Sequence, residues 1–386
     1  MPEVPPQSRE AELLLCCART HLEPDGVDRI TALIAEGIHW PRLMALAHSN
    51  GVALLLYRSL TAIGAHGVPE ATLRELTAHY RGNMLRSLLM AAELLRLLEL
   101  FAAHAVRAVP FKGPVLAAVA YGDIGLREFC DLDLLVRRRE LKRARRLLRE
   151  QGFDAYRWNL EQPGSGLTVE LHRWEGLPFD TSGESKGLHK PGQLVTVPLL
   201  DVAVPSLGPE ETLLALCLHG SKHCWDRLLG VCDVAQFVSA QPRIDWPAIL
   251  ATAGRRGSRR RLLWGLLLAR DLLGLAVPEQ VLAAAAHDPR LNALVAEARR
   301  RILCAGDDPF GHVERWATQR RMLERRRDRL RFYLHLLCEG LRPNRTDRVA
   351  VPLPGGLHWL YYLIHPIRVA ATYGPRAVRH ALRRRS

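Results

Sequence analysis

The chain has 386 residues, of which 48% are apolar and 24% charged, so it is long and apolar enough for two or three folded domains. This composition excludes a chain that is disordered throughout, because such chains lack the apolar residues that a core requires. The net charge of +14 is unevenly placed: residues 255–386 carry 27 basic and 11 acidic side chains, whereas residues 1–254 are nearly neutral. An arginine-rich second half is typical of a region that meets a polyanion, and equally of solvated helix faces.

Nothing in the chain has the pattern of a secretion signal or a membrane span. Residues 262–276 and 357–372 are the most apolar stretches, but polar or charged side chains interrupt both. A spanning helix needs about 20 predominantly apolar residues in succession. The eight cysteines show no disulfide-scaffold spacing. We therefore expect a cytoplasmic protein with no membrane span.

The hydrophobic pattern divides the chain into three parts. Residues 1–104 have apolar residues at helical spacing, residues 105–205 contain short strand-like runs, and residues 206–386 return to helical spacing. The predicted strands are 106–111, 129–136, 153–158, 167–172 and 194–204. This order predicts an α+β fold in which a small mixed-sheet core is flanked by N-terminal and C-terminal helical regions.

The pair Asp131 and Asp133 is the sharpest chemical feature of the sequence. Residues two apart on a strand project from the same face, so both carboxylates point one way while Leu132 points into the core. Two like charges this close favour a cation between them, and oxygen ligands suit Mg²⁺ or Mn²⁺. Glu170, in the middle of another apolar strand and on the same face as His172, is the predicted third carboxylate.

Lys112 and Gly113 follow a predicted strand and precede a predicted helix that begins at Pro114. Such a step presents backbone N–H groups to an anion, the glycine permits close approach of the backbone, and a lysine can reach a phosphate. We therefore expect Lys112 and Gly113 to contact phosphate. The step is not a Walker A loop, because the glycine and serine or threonine of that motif are absent.

Two further cations have more than one interpretation. Arg127 precedes Asp131 by four residues and is expected either to stabilise charge on a bound phosphate or to pair structurally with a nearby carboxylate. Lys222 lies between His219 and His223, in a segment that could contact phosphate, hold zinc or simply pack on the sheet.

Arginines are densest in residues 315–331, which we expect to form one helix. Eight arginines occur there, interleaved with acids at i, i+3 spacing that indicates ordinary surface pairing. A nucleic-acid site would show aromatic side chains among the arginines or a recognisable module. Nucleic-acid binding is therefore left open and not favoured.

These motifs, in this order, resemble the DNA polymerase β-like nucleotidyltransferase superfamily, and within it a bacterial family of uncharacterised nucleotidyltransferases. The similarity is strongest over residues 108–235. It rests on Lys112-Gly113, Tyr121, Arg127, the strand from Asp131 to Val136, the glycine that ends a basic helix, the strand around Glu170, and the segment from Leu218 to Leu228 with Asp233.

The resemblance implies transfer of a nucleoside monophosphate from a nucleoside triphosphate to an acceptor, with release of pyrophosphate. It assigns Asp131 and Asp133 to Mg²⁺ or Mn²⁺, with Glu170 as the third ligand near the acceptor. Lys112, Gly113, Arg127 and Lys222 are then the expected nucleotide-binding residues. The acceptor, whether small molecule, peptide, protein or RNA, is not indicated.

Two alternatives stay open beside the transferase. The superfamily usually has Gly-Ser or Gly-Gly where this chain has Lys112-Gly113-Pro114, so a catalytically impaired module that only binds nucleotide or nucleic acid is the second hypothesis. The third takes the Asp131 and Asp133 pair as the metal site of a glycosyltransferase. That fold needs several βα units before the motif, whereas only helices are predicted there.

Overall fold

The computed structural model describes residues 8–156, 159–164, 166–173, 194–303, 312–341, 351–368 and 371. They fall into two compact units, the first ending near residue 306 and the second beginning there. Within the first unit, helices precede and follow a small mixed sheet, which confirms the predicted α+β class. The three-part division at residues 104 and 205 stays a prediction.

Helices precede the sheet and follow it in the chain. Before and within the sheet they are α1 (Arg9–Cys17), α2 (Pro24–Ala35), α3 (Trp40–Ser49), α4 (Ala53–Ala62), α5 (Glu70–Ala103), α6 (Gly113–Leu116) and α7 (Leu141–Glu150). The later helices of the first unit are α8 (Pro209–Lys222), α9 (Leu228–Ala240), α10 (Trp246–Arg256), α11 (Arg259–Leu273), α12 (Glu279–Ala286) and α13 (Pro289–Leu303).

Five strands of the described residues form one mixed sheet. They are β1 (Ala108–Pro110), β2 (Asp131–Val136), β3 (Asp154–Tyr156), β4 (Asn159–Gln162) and β5 (Leu167–Arg173), in the spatial order β1-β2-β5-β4-β3. β2 pairs with β5 in parallel, and the other pairs are antiparallel. The parallel pair is central, so the strands that carry the predicted carboxylates are direct neighbours.

The two faces of the central strands have different partners. Leu132, Leu134 and Val136 of β2 belong to a core cluster with Val169 and Leu171 of β5. Side chains from α5 and α7 complete the cluster: Met90, Leu94, Leu97, Phe101, Ala144, Leu147 and Leu148. Because side chains alternate along a strand, the intervening residues of β2 and β5 project from the opposite face.

A separate hairpin replaces the single strand predicted over 194–204. β6 (Leu194–Leu199) and β7 (Val202–Leu207) pair with each other and not with the five-stranded sheet. The two residues between them, Leu200 and Asp201, both have positive φ, 48° and 63°. A two-residue loop of this kind usually carries asparagine or glycine, so the sequence lacked the ordinary signal for the turn.

The long helix α5 fixes the loop that leads into β2. Asn83 donates its side-chain amide to the carbonyl oxygens of Gly125, at 2.9 Å, and Arg127, at 3.3 Å. Tyr80 donates its hydroxyl to Asp123 at 2.9 Å. These bonds satisfy backbone groups that would otherwise be buried without partners, and so hold the loop before the first aspartate.

Helices α8, α9 and α11 enclose the indole of Trp225, which is 1% exposed. A Cβ built at Gly265 of α11 would lie 2.8 Å from Cζ2 of Trp225, closer than real Cβ atoms approach. A Cβ at Gly230 of α9 would meet the same ring no closer than 3.6 Å. The packing of α8 against α11 therefore depends on a glycine, and α8 carries two of the residues considered below.

The second unit contains α14 (His312–Met322), α15 (Arg326–Leu341), a 3₁₀ turn (Gly355–Leu360) and helical residues 361–368. The single helix predicted over 315–331 is thus wrong, because the chain leaves the helix at Leu323. Arg329 donates to the carbonyl oxygens of Leu323 and Glu324, each at 3.2 Å, and so satisfies groups left over at the end of α14. No helix among the described residues is long and apolar enough to cross a membrane.

We predict that Gly265→Ala lowers the free energy of unfolding by about 1–3 kcal/mol, because the added methyl group forces the indole of Trp225 or its neighbours to move. Urea unfolding followed by circular dichroism measures it. The matched control, Gly230→Ala, has room for the methyl group and should be neutral or stabilising. Equal stability of the two variants would contradict the packing described.

Candidate metal and nucleotide site

The step after β1 brings Lys112 and Gly113 to the start of β2. Gly113 has φ +56°, and a Cβ on it would lie 3.3 Å from the backbone oxygen of Asp131. Both the left-handed conformation and the close approach favour glycine. Lys112 is in extended conformation immediately before α6, and its side chain is only 8% exposed. The two residues predicted to contact phosphate therefore lie beside the first predicted metal ligand.

The carboxylates meet across the parallel strand pair. Asp133 is the register partner of Glu170, and Asp131 is the partner of Thr168. One donor atom each from Asp133, Glu170 and His172 lie within 4.8 Å of one another, a grouping that could hold a metal ion. Asp131 lies on the same face two residues away but outside that group of three. The structure thus brings Glu170 to Asp133 and adds a histidine.

Asp133 is the most enclosed of these carboxylates, with 4% of its side chain exposed. Lys112 Nζ lies 3.1 Å from its Oδ2, and His172 Nε2 lies 2.5 Å from its Oδ1. Burial alone would raise the pKa of Asp133, but the Lys112 ammonium and the His172 hydrogen bond outweigh burial and hold the pKa well below its usual range. Asp133 is therefore ionised at neutral pH.

Asp131 has the opposite electrostatic environment. Burial raises its pKa, and the charges of Asp133 and Glu170 raise it further, while Lys112 and Arg127 act in the other direction without reversing the shift. Because its pKa is raised, ionising this carboxyl group costs free energy. A divalent cation beside the three carboxylates would remove that penalty, and oxygen-rich sites of this type suit Mg²⁺ or Mn²⁺.

Lys112 also contacts His219 of α8, whose Nδ1 lies 3.1 Å from Nζ. Burial lowers the pKa of His219 well below its usual range, and the neighbouring ammonium of Lys112 lowers it further. A neutral imidazole can accept a hydrogen bond from an ammonium group, so Nδ1 acts as the acceptor. The ammonium of Lys112 is thus held between a carboxylate of the sheet and an imidazole of α8.

Lys222 lies one helical turn after His219, at the end of α8, and is exposed. Partial loss of hydration lowers the pKa of Lys222, and Glu170 attracts its charge. It therefore lies on the carboxylate side of α8. The four side chains that could form a zinc site (Cys217, His219, His223 and Cys224) supply no group of three converging donors among the described residues.

Arg127 adopts the structural alternative considered from its position. Its Nε and Nη2 donate to Oδ1 and Oδ2 of Asp233 on α9, at 2.7 and 2.8 Å, and Tyr121 donates its hydroxyl to Oδ1 at 2.7 Å. Arg127 and Asp233 are 7% and 5% exposed. A role of Arg127 in nucleotide binding stays a prediction; its observed contacts join the sheet to α9.

Sequence reasoning missed one member of this constellation, His172, and one contact, that of His219 with Lys112. His172 was placed on the face of Glu170 but not assigned to the site; its i+2 spacing from Glu170 was the available signal. The contact of His219 with Lys112 joins residues 107 positions apart, so no local pattern predicts it. The site therefore consists of three carboxylates, two histidines and Lys112, with Gly113 at the adjacent turn.

We predict that Lys112→Met destabilises the metal-free protein by about 3–5 kcal/mol at neutral pH, because it leaves the Asp133 carboxylate buried without its ammonium partner. The folded pKa of Asp133 is depressed, so the stabilisation is complete above the unfolded carboxyl pKa of about 3.9 and is lost as pH falls through the folded value. The difference from wild type should therefore stay constant from neutral pH down to about pH 4 and shrink below it.

Urea unfolding with EDTA, at several pH values between neutral and about pH 2, measures this difference. Lys142→Met, at an exposed lysine of α7, is the matched control and should change stability little at any of them. A Lys112→Met effect that is as small as the control, or that does not shrink below about pH 4, would contradict the ion pair.

Comparison with known proteins gives one informative match. The family described as "uncharacterised nucleotidyltransferase" matches residues 36–274, more than half of the chain and all of the site residues named above. No curated protein and no solved structure matches. Because the matched span includes β1, β2, β5 and α8 together with the carboxylates they position, the chain belongs to the uncharacterised nucleotidyltransferase family.

Proposed function

We propose that the protein is a metal-dependent nucleotidyltransferase that moves a nucleoside monophosphate from a nucleoside triphosphate to an acceptor and releases pyrophosphate. The observation that carries the proposal is the pairing of β2 with β5, which sets Asp133 opposite Glu170 on the face away from the core. Membership of the family supports the reaction type. The likeness to the DNA polymerase β-like superfamily, and a bacterial origin, are part of the same proposal.

Asp131, Asp133 and Glu170, with His172 beside them, would hold Mg²⁺ or Mn²⁺. The cation, when bound, neutralises negative charge on the triphosphate and lowers the pKa of an acceptor hydroxyl. Three carboxylates crowded on one face, one of them with a raised pKa, fit a hard divalent cation, which supplies the positive charge they lack. The residues present therefore fit a bound divalent cation.

The chain's own cations would bind the triphosphate. Lys112, already placed on the carboxylate face by β1, supplies an ammonium group, and the turn at Gly113 lets backbone approach the phosphates. Lys222 at the exposed end of α8 adds a second ammonium group that the Glu170 carboxylate attracts. Arg127 would act at longer range, because Asp233 occupies its guanidinium.

In the transfer itself, a bond forms between the acceptor nucleophile and the α-phosphorus, and the bond from that phosphorus to the bridging oxygen breaks. Pyrophosphate leaves with the electron pair of the broken bond. The acceptor's proton would pass to Glu170, which is only half-buried and lies beside His172, with Nε2 3.4 Å from Oε2. The acceptor is a small molecule, peptide, protein or RNA.

One observation favours the second hypothesis, an impaired module that binds nucleotide without turnover. Lys112 and His172 already satisfy both oxygens of Asp133, so this carboxylate does not need an ion to be stable. If Lys112 keeps its ion pair with Asp133 and no metal ion replaces it, the protein would bind the triphosphate through its lysines alone.

We predict that a nonhydrolysable nucleoside triphosphate binds the wild type only with Mn²⁺ or Mg²⁺ present. Asp131→Asn and Asp133→Asn should each weaken binding of Mn²⁺ with nucleotide by about tenfold or more, since each removes a charged ligand. Titration calorimetry with and without EDTA measures binding. Asp154→Asn, at an exposed aspartate of β3, is the matched control and should bind as wild type. Metal-independent binding, unchanged in both site variants, would favour the impaired module.

We predict that turnover depends on the same residues. Pure protein incubated with Mg²⁺, each α-labelled nucleoside triphosphate and a set of acceptors should transfer the label to an acceptor and release unlabelled pyrophosphate. Asp131→Asn, Asp133→Asn and Glu170→Gln should each lower the rate by about 100-fold or more. Asp154→Asn should keep the wild-type rate. Release that survives in the site variants would overturn the assignment of the carboxylates.

A further inference from the structure

The end of the second unit presents an apolar surface. Four large apolar side chains in and just before helical residues 361–368 are strongly exposed: Trp359 (60%), Tyr362 (61%), Leu363 (57%) and Ile367 (70%). Isolated exposed apolar residues are ordinary, but several adjacent ones mark a surface that meets another molecule. We call these four residues the aromatic stripe.

The spacing shows that the stripe is one face of a helical segment. The four residues lie three, four and eight positions from the first, which is the spacing of one helix face. The opposite face is buried: Tyr361 and His365 are each 3% exposed. Tyr361 donates its hydroxyl to the carbonyl of Val351 at 2.9 Å and accepts from the backbone N–H of Leu353 at 3.0 Å. The segment is anchored by its inner face, so the apolar face stays outward.

The charged residues of the surrounding sequence are all basic. Residues 348–386 contain seven arginines and no acidic residue. An apolar face with tryptophan and tyrosine, within a stretch rich in arginine, has the two components that bind an anionic lipid surface. The rings of tryptophan and tyrosine favour the boundary between headgroups and acyl chains, where one end is apolar and the other hydrated.

Other ways to cover the stripe fit less well. A helix of eight residues is about 12 Å long, far short of the bilayer core of about 30 Å, so it would lie on the membrane. A second copy of the chain, paired through the same face, would bring two arginine-rich segments of equal charge together.

We propose that the aromatic stripe, together with the arginines of the sequence 348–386, docks the protein on an anionic lipid bilayer, with Trp359, Leu363 and Ile367 inserted among the headgroups. This role is independent of the transfer reaction, because every residue concerned lies in the second unit and outside the span that matches the family.

Sedimentation with vesicles tests the proposal on the full-length protein. Vesicles of phosphatidylglycerol and phosphatidylcholine should bind it, vesicles of phosphatidylcholine alone should bind it much less, and raising NaCl from about 0.1 M to about 0.5 M should weaken binding. The triple variant Trp359→Ser, Leu363→Ser, Ile367→Ser should bind the anionic vesicles about 100-fold more weakly, because each change removes apolar area from the bilayer.

A triple substitution in the first unit is the matched control. Leu85, Leu88 and Leu89 of α5 are also exposed, and Leu85→Ser, Leu88→Ser, Leu89→Ser should leave vesicle binding unchanged. Trp359→Phe keeps an aromatic ring, so it should still bind while losing most of the fluorescence quenching by brominated lipids. That readout identifies the inserted residue even if the triple variant unfolds.

The contrary results are equally defined. Equal binding to neutral and anionic vesicles, no loss in the stripe variant, or quenching unchanged in Trp359→Phe would overturn the proposal. Sedimentation velocity that shows a dimer lost in the stripe variant, without vesicle binding by the wild type, would assign the surface to self-association instead. Binding of an acidic protein alone would likewise overturn the lipid assignment.

Discussion

A carboxylate that is nearly excluded from water needs a positive charge within reach, and Asp133 imposes that need on the rest of the site. The parallel pairing of β2 with β5 places Asp133 opposite Glu170 and so adds negative charge where it is least tolerated. Lys112 from the end of β1 and His172 from β5 supply the compensation. The end of β1, β2 and β5 must therefore hold these side chains close together.

The same constraint explains why the site is assembled around the sheet rather than in a loop. The core face of β2 and β5 is apolar from Leu132 to Val136 and from Leu167 to Leu171 and packs on α5 and α7, so the charged side chains of the site project from the other face. On that face α8 adds His219, whose uncharged ring accepts from Lys112. An ammonium group held by both a carboxylate and an imidazole has a fixed position in the site.

Much of this arrangement could be predicted from local pattern. Alternation along 131–136 and 167–172 placed Asp131, Asp133 and Glu170 on one face, and the structure brings Asp133 and Glu170 together. The α+β class followed from the change of period near residue 105. Prediction failed where the sequence carries no local signal for the structure. The two-residue turn at Leu200 and Asp201 lacks a glycine or asparagine, and the break between α14 and α15 is satisfied by a side chain five to six residues away.

The bidentate pair of Arg127 and Asp233 has an evolutionary consequence. The guanidinium belongs to the loop before β2 and the carboxylate to α9, so the sheet and the following helices share one buried charge balance. A recombinant chain that joined this sheet to helices without an aspartate at this place would leave Arg127 buried without its partner, at a cost comparable to much of a domain's net stability. The two regions can therefore be exchanged without this cost only as a matched set that keeps both ions.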